Sequence, residues 1–213
     1  MRFLDFLFPP REDERALREV GAEEFCAKLA PQLVPYTRPA TVALLPFADA
    51  QVRAAIHEAK YHGSERAFAL LAECLADFLP DYLSDTYHVG RRTSYISLVP
   101  MPLGRVRRQE RGYNQVEEVA RRALEELAMP EVRLDTALLT RARETPTQIS
   151  LARAAREENM KGAFTAAAPA NPPRLCIVLD DVLTTGATLQ GALDALSLAG
   201  LPRDHLLPIA LAH

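Results

Sequence analysis

Hydrophobic and polar positions along the chain follow two patterns, short continuous apolar runs and longer amphipathic stretches. The runs Ala40–Phe47, Thr93–Val99 and Leu175–Leu179 are short and bounded by polar or turn residues, which predicts buried strands. Leu134–Leu139 and His205–Ala212 predict two more. The remaining segments with apolar residues at helical spacing predict helices over Arg11–Leu29, Val52–Tyr61, Arg66–Leu79, Asn114–Leu127 and Thr188–Leu198.

Strands and helices therefore alternate along the chain. This order predicts an α/β fold with a central parallel sheet flanked by helices on both faces. Ligands of such sheets bind beyond the carboxyl ends of the strands. The segments that follow Val99 and Leu179 are therefore the first places to look for chemistry.

The most informative segment begins where the apolar run Leu175–Leu179 ends. Asp180 and Asp181 come next, and a loop of small residues then leads into a helix: Thr184, Thr185, Gly186, Ala187 and Thr188. Small residues let the backbone approach a ligand closely, and a helix N-terminus favours an anion. Carboxylates accept hydrogen bonds from sugar hydroxyls and lie near phosphate-bound magnesium. The pattern predicts a ribose 5-phosphate ligand.

This segment resembles the signature of the type I phosphoribosyltransferases, which bind phosphoribosyl pyrophosphate (PRPP). The resemblance implies a type I phosphoribosyltransferase-like core, in which Asp180 and Asp181 bind the ribose and residues 184–188 bind the 5-phosphate. The segment lacks the Gly-Lys-Ser/Thr of a Walker P-loop and the Gly-x-Gly-x-x-Gly of dinucleotide sites.

A second loop, Pro100–Gly104, follows the strand over Thr93–Val99. In type I phosphoribosyltransferases the loop at this place binds pyrophosphate through its backbone amides. The resemblance therefore implies Met101, Leu103 and Gly104 as pyrophosphate contacts, with Arg111 beside them. The alternative is a rigid turn without a ligand.

Arg111-Gly112-Tyr113-Asn114-Gln115 resembles the Arg-Gly-Phe/Tyr-Asn-Gln motif of the competence protein ComF family, which includes GntX-like relatives. Further segments resemble the same family: Glu58–Gly63, Leu139–Arg141 with Thr145 and Gln148, and Leu151, Arg156, Asn159, Gly162 and Phe164. The resemblance implies a cytoplasmic role in natural transformation, in which incoming single-stranded DNA is handled beside a helicase partner.

The chain departs from this family near its N-terminus. Phe8-Pro9 is present, but the four zinc-binding cysteines that usually follow are absent. The three cysteines, Cys26, Cys74 and Cys176, form no CxxC pair, so we expect no zinc and no disulfide framework. We expect a helical segment over residues 1–39, in place of the zinc finger, and a phosphoribosyltransferase-like domain over residues 40–213.

The net charge of −3 argues against binding nucleic acid over the whole surface. Eight arginines nevertheless lie between Arg91 and Arg122, and Arg105, Arg107 and Arg108 are the candidate contacts for single-stranded DNA. For Arg121-Arg122 a solvated helix face is the preferred interpretation. Met1–Phe8 is too short for a signal peptide or a membrane span, which favours a cytoplasmic protein without membrane insertion.

Several side chains keep two interpretations. The polar stretch Arg141–Gly162 suits a lid over the leaving group, with Arg141, Gln148 and Arg156 as its contacts. Lys60 either reaches a substrate or is solvated, and Tyr61 and Tyr113 either stack a base or pack in the core.

Two classes of function follow: a Mg²⁺-dependent phosphoribosyltransferase with an unknown acceptor, and a DNA-uptake component that senses PRPP or a ribose 5-phosphate nucleotide without catalysis. The alternative to a ComF-like role is nucleobase salvage. Thr184 stands where oxopurine phosphoribosyltransferases carry an acid, so the hypoxanthine/guanine type is disfavoured.

Overall fold

The computed structural model describes residues 11–86, 95–143 and 162–213. The strands are β1 (Gln32–Val34), β2 (Thr41–Leu45), β3 (Ile96–Pro100), β4 (Val132–Leu134), β5 (Leu139–Arg141), β6 (Phe164–Ala166), β7 (Leu175–Val182) and β8 (Leu206–Ala212). The α-helices are α1 (Glu12–Glu19), α2 (Ala22–Cys26), α3 (Ala50–His62), α4 (Glu65–Thr86), α5 (Arg105–Arg111), α6 (Gln115–Glu126) and α7 (Ala187–Leu198).

Six strands form the central sheet in the order β1-β2-β8-β7-β3-β4, and β5 pairs with β6 in a separate small sheet. Within the central sheet β1 is antiparallel to β2, and the other neighbours are parallel. The expected α/β class with a mostly parallel sheet is confirmed. Because Pro100 of β3 lies beside Leu179 of β7, the loops that follow these two strands meet at one edge.

The central strand β7 shows why both faces of the sheet are covered. Leu175, Ile177 and Leu179 pack into a buried cluster that includes residues from α1–α4 and α6. Cys176 and Val178 point the other way, into a cluster with α7, β5 and β6. A continuous apolar run is what a strand buried on both faces requires.

Local differences from the sequence prediction have visible causes. β7 extends through Val182, so Asp180 and Asp181 belong to the strand instead of the loop after it. The strand predicted over Leu134–Leu139 is wrong, because the Asp135 side chain accepts the N–H groups of Ala137 and Leu138 and turns the chain there.

The first described segment packs onto the helical layer. Leu17 of α1 and Phe25 of α2 are 1% and 0% exposed and belong to the same cluster as α3 and α4. Cys26 and Cys74 lie 48 positions apart in the sequence, but their Sγ atoms are 2.9 Å apart as free thiols. Among the helices in the described ranges, none has the length and apolar character needed to cross a membrane.

Candidate functional site

A cavity of about 750 Å³ opens at the carboxyl edge of β3 and β7. The loop after β3, the two carboxylates of β7, Thr184, Thr188 and one side of α3 line it. We call it the carboxyl-edge cavity. Its volume is typical of sites for small molecules and cofactors. Both loops that the sequence singled out therefore contribute to one space.

Asp181 is buried at this edge and its carboxylate is held from three sides. Its Oδ1 accepts the Val182 N–H at 2.8 Å, and its Oδ2 accepts Lys60 Nζ at 2.7 Å and Gln115 Nε2 at 3.0 Å. Lys60 and these hydrogen bonds hold the pKa of Asp181 below its ordinary value despite burial. Asp181 is therefore a charged, fully oriented group.

Asp180 differs from its neighbour in both partners and charge. Its Oδ1 accepts the Asp181 N–H at 2.9 Å, and its carboxyl group lies beside that of Asp181. Burial and the nearby Asp181 charge raise the pKa of Asp180 to about 7. Asp180 thus lines the cavity with fewer hydrogen bonds among the described residues than Asp181 has, and its pKa lies near neutral pH.

A chain of contacts connects Asp181 to the arginine-containing motif. The Gln115 amide donates to Asp181 through Nε2, and its Oε1 accepts Arg111 Nη1 at 3.1 Å. The Arg111 guanidinium lies over the Tyr61 ring, with Cζ 5.2 Å from the ring centroid. Only one orientation of the Gln115 amide satisfies both partners, so Gln115 fixes Arg111 relative to the carboxylates.

The loop between β7 and α7 has the conformation that the sequence predicts. Gly186 has a φ of +80° and forms the N-cap position of α7, with Ala187 as the first helical residue. Thr184 and Thr188 line the carboxyl-edge cavity, whereas Ala187 is buried. Thr185 lies between them, and its Oγ1 accepts the Ala187 N–H at 3.4 Å. The open N-terminus of α7 therefore lies beside the cavity.

One candidate pyrophosphate contact requires correction. The N–H of Met101 donates to the Leu179 carbonyl at 2.8 Å, so this amide is used by the sheet and is not available for pyrophosphate. Leu103 and Gly104 have no such bond within the described residues. Asn114 stabilises the loop because its side chain donates to the Met101 carbonyl at 3.0 Å and caps α6 by accepting the Val116 N–H.

The cavity has a cationic lining. Among the described residues, five cationic side chains line it against three acids: Arg53, Lys60, Arg107, Arg111 and Arg141, and Glu110, Asp180 and Asp181. Arg141, a predicted lid residue, also lies over the Phe164 ring. The other two predicted lid residues, Gln148 and Arg156, lie outside the described residues.

The candidate DNA arginines lie on α5, a helix that the sequence analysis did not predict. Arg105 and Arg108 are exposed, and Arg108 pairs with Glu117 at 3.2 Å. Arg107 lines the cavity instead. Arg121 is exposed and pairs with Glu118 and Glu125 on the surface of α6, as the solvated-face interpretation expects. Arg122 departs from that interpretation, because it pairs with Glu65 but is only partly exposed and lies over the Phe68 ring.

Sequence reasoning left Lys60 open between a substrate contact and a solvated side chain, and it gave Gln115 no role. They lie 121 and 66 positions from Asp181, so no local spacing connects them to it. Their one signal was membership in the two segments that resemble the ComF family. Tyr113 lies in the same motif as Gln115 and packs edge-on against Phe68, with the ring centroids 5.7 Å apart, which supports its interpretation as a core residue.

A separate cluster on α3 brings together His57, Glu58 and His62, with ligand atoms within 4.8 Å of one another. Sequence reasoning did not identify it. Arg11 donates to both Glu58 oxygens, at 2.8 and 2.6 Å, and His57 Nδ1 lies 3.0 Å from an Asp13 oxygen. The buried Glu58 charge is thus already balanced by a guanidinium.

Comparison with known proteins adds two relatives. The chain is 34% identical over 96 residues to "Competence protein F" of Haemophilus influenzae, which covers 44% of this chain and 41% of that protein. It is 30% identical over 138 residues to "DNA utilization protein YhgH" of Escherichia coli, and this match covers 63% of this chain and 56% of that protein. The chain therefore matches about half the length of these relatives, and no protein-family model matches it. The similarity to these two relatives supports the resemblance to the ComF family that the sequence motifs indicate.

Proposed function

We propose that this ComF-like chain binds PRPP in the carboxyl-edge cavity and acts in DNA uptake and use. One observation carries the proposal. Asp180, Asp181, the N-terminus of α7 and the loop after β3 come together around a single cationic cavity. The two loops that the sequence analysis singled out therefore line the same cavity.

The contacts support a division of roles. The 5-phosphate would bind at residues 184–188, where Thr184 and Thr188 offer hydroxyls and α7 offers free N–H groups. The Asp180 carboxylate would accept a hydrogen bond from a ribose hydroxyl. Asp181 has lone-pair capacity for one further hydrogen bond, and it otherwise orients Lys60 and Gln115.

The opposite end of PRPP would face Arg111 and the amides of Leu103 and Gly104. A guanidinium held by Gln115 is preorganised for phosphate oxygens. The carboxylate edge of the cavity would suit a Mg²⁺ ion carried by the phosphates of PRPP, because Mg²⁺ prefers oxygen ligands. When bound, that ion would neutralise charge on the leaving pyrophosphate.

Phosphoribosyl transfer is the reaction such a site would support. The bond from ribose C1 to the pyrophosphate oxygen breaks and pyrophosphate leaves with the bonding pair. The acceptor forms the new bond to C1 and loses its proton to solvent. Positioning and exclusion of water are the main contributions of the protein residues.

The cellular role comes from the relatives. One is named for competence and the other for DNA utilization. We extend both to this chain as a role with imported single-stranded DNA, with a DNA-uptake helicase as the proposed protein partner.

Ligand-dependent stability tests the PRPP assignment. Mg²⁺ with PRPP at a hundredfold excess over its dissociation constant should stabilise the fold by about 2.7 kcal/mol. Thermal unfolding with and without the ligand measures this shift. The double variant Asp180→Asn/Asp181→Asn should lose it, whereas Asp204→Asn, an exposed acid outside the cavity, should keep it. Equal shifts in all three proteins would refute the site.

A further inference from the structure

Tyr61 is an exposed aromatic side chain inside a binding cavity. It lies in the last turn of α3, is 56% exposed and lines the carboxyl-edge cavity. The described ranges contain four other exposed large hydrophobic residues, and none of them lines this cavity: Leu33, Tyr36, Val106 and Leu198. The Tyr61 ring therefore contributes little to the core and leaves most of its surface for a ligand.

The groups around Tyr61 are typical of a stacking site. The His57 ring lies 4.9 Å from the Tyr61 ring, tilted by 52°, and the Arg111 guanidinium lies 5.2 Å from its centroid. Aromatic rings and guanidinium planes are the groups on which nucleic-acid bases stack, and this stacking tolerates different bases. A flat ligand ring would meet apolar surface flanked by cationic groups.

Tyr61 is also fixed relative to the proposed ribose site. Lys60, its neighbour on α3, bonds Asp181, and Arg111 connects to the same carboxylate through Gln115. The phosphate-binding loops account for one side of the cavity. The cavity lining also includes Phe47, Ile56, His57 and Tyr61, against which no part of PRPP is placed.

We infer that Tyr61 is the stacking surface for a planar heteroaromatic ring that shares the cavity with PRPP. The ligand class is a nucleobase, either free or within single-stranded DNA. The inference rests on the proposed function because it assigns the remaining part of the same cavity.

Two ligand sets distinguish the two sources. The first is adenine, uracil and orotate, each titrated by calorimetry in the presence of Mg²⁺ and PRPP. The second is a short oligothymidylate compared with an abasic oligonucleotide of equal length, which has the same phosphate charge but no rings. The ratio of the two oligonucleotide affinities isolates stacking from electrostatic binding.

The variants are Tyr61→Leu, which removes the ring, and Tyr61→Phe, which keeps it. Tyr36→Leu is the matched control because Tyr36 is 69% exposed but lies outside the cavity. Tyr61→Leu should weaken ring binding roughly 5- to 100-fold, as loss of one base–aromatic stack does. Tyr61→Phe and Tyr36→Leu should bind as the unchanged protein does.

The outcomes separate cleanly. If Tyr61→Leu weakens binding of the free bases alone, the result supports a small-molecule acceptor. If it weakens binding of the oligothymidylate alone, the result supports single-stranded DNA. The stacking inference is overturned if Tyr61→Leu lowers neither the affinity for free bases nor that for oligothymidylate. It is also overturned if the substitution lowers PRPP affinity by the same factor, because the effect would then act through Arg111. If Mg²⁺–PRPP fails to bind the unchanged protein, the proposed function is wrong, and the oligonucleotide ratio still decides the stacking inference.

Discussion

At the residue scale, the two adjacent aspartates are chemically different. Asp181 is held charged by Lys60 and Gln115, whereas burial and the charge of Asp181 raise the pKa of Asp180 to about 7. Two neighbouring carboxylates with separated pKa values are typical of functional sites. A ligand that arrives near neutral pH therefore meets one fixed charge and one adjustable charge.

We predict that Asp180→Asn stabilises the fold in a pH-dependent way. The folded pKa of Asp180 lies above its ordinary value of 3.8, so the folded state binds a proton that the unfolded state has lost. Stability contributed by this proton falls as pH rises from about 4 to about 7. The variant should therefore gain on the order of 1–2 kcal/mol over the unchanged protein above about pH 7, as measured by urea unfolding.

The control for this prediction is Asp204→Asn, which removes the same charge from an exposed carboxyl outside the cavity. The same Asp180→Asn protein should bind Mg²⁺–PRPP more weakly, so stability and binding should change in opposite directions. If the gain in the free energy of unfolding were the same at every pH, the pKa of Asp180 would not be raised in the folded protein, and the prediction would be wrong.

Lys60 gives a second prediction at this scale. Lys60→Met leaves the buried Asp181 charge without its counter-ion and should cost about 1–3 kcal/mol near neutral pH. The loss should shrink as pH falls towards the pKa of Asp181, because a neutral carboxyl needs no counter-ion. A double-mutant cycle with Asp181→Asn, measured by urea unfolding, gives the coupling energy.

The matched control is Lys28→Met, which breaks a Lys28–Asp49 pair of 2.9 Å outside the cavity. It should cost less than about 1 kcal/mol, since both side chains are partly exposed, and leave PRPP binding unchanged. A coupling energy near zero between Lys60 and Asp181 would contradict the proposed charge pairing.

The sequence predicted the carboxylates and the small-residue loop because their chemistry lies in one continuous segment. It did not assign Lys60 and Gln115 to Asp181, since these contacts depend on how α3, α6 and β7 come together. It also offered Met101 as a donor, and only the pairing of β3 with β7 shows that this amide bonds Leu179.

At the scale of elements, the unit of β7, loop and α7 depends on Gly186. Its φ of +80° is a region that L side chains rarely adopt, and a Cβ there would lie 2.7 Å from the Arg38 carbonyl oxygen. The glycine is thus required by the backbone of the chain before β2 as well as by the turn itself.

We therefore predict that Gly186→Ala costs roughly 2 kcal/mol or more and weakens Mg²⁺–PRPP binding. Strain and the contact with Arg38 would both displace the loop. Thermal unfolding and calorimetric titration measure the two effects. Gly21→Ala is the control, because Gly21 has a φ of −70° and nothing within 4 Å of an added Cβ. Equal effects of the two substitutions would contradict this account.

Predicted elements were most accurate where periodicity was strong. The helix predicted over Asn114–Leu127 is observed at Gln115–Glu126 with Asn114 as its N-cap. The single helix predicted over Arg11–Leu29 is instead two helices, α1 and α2, separated at Val20-Gly21. Helix α5 was missed because its arginine-rich sequence has almost no apolar periodicity, and it buries no residue.

At the scale of the whole molecule, packing holds the first described segment in place. Leu17, Val20 and Phe25 are buried, and Arg11 pairs with the fully buried Glu58 side chain. These contacts attach α1 and α2 to the helical layer that also positions Lys60 and Tyr61. The absence of bound zinc stays a prediction, which elemental analysis of the purified protein would test.

The distribution of charge sets the last question, which is whether the protein binds DNA directly. The net charge is −3, yet Arg105 and Arg108 are exposed on α5 beside the cationic cavity. Arg107 faces the cavity itself, so replacing all three arginines would affect the DNA and PRPP sites together. Removing Arg105 and Arg108 alone tests the surface without changing the cavity lining.

We predict that Arg105→Ala/Arg108→Ala weakens binding of single-stranded DNA and flattens its salt dependence. Each lost phosphate contact should reduce the slope of log affinity against log salt by about 0.7. Labelled oligonucleotide titrations at low and physiological salt measure both quantities, and PRPP binding should stay unchanged. Arg121→Ala/Arg122→Ala removes the same charge from α6. Within the described residues these two arginines pair with three glutamates, whereas Arg105 and Arg108 have one such partner, Glu117, between them, so the α6 variant should have a smaller effect. Equal losses in the two double variants would mean that net charge acts instead of α5, and undetectable binding at low salt would rule out direct DNA contact.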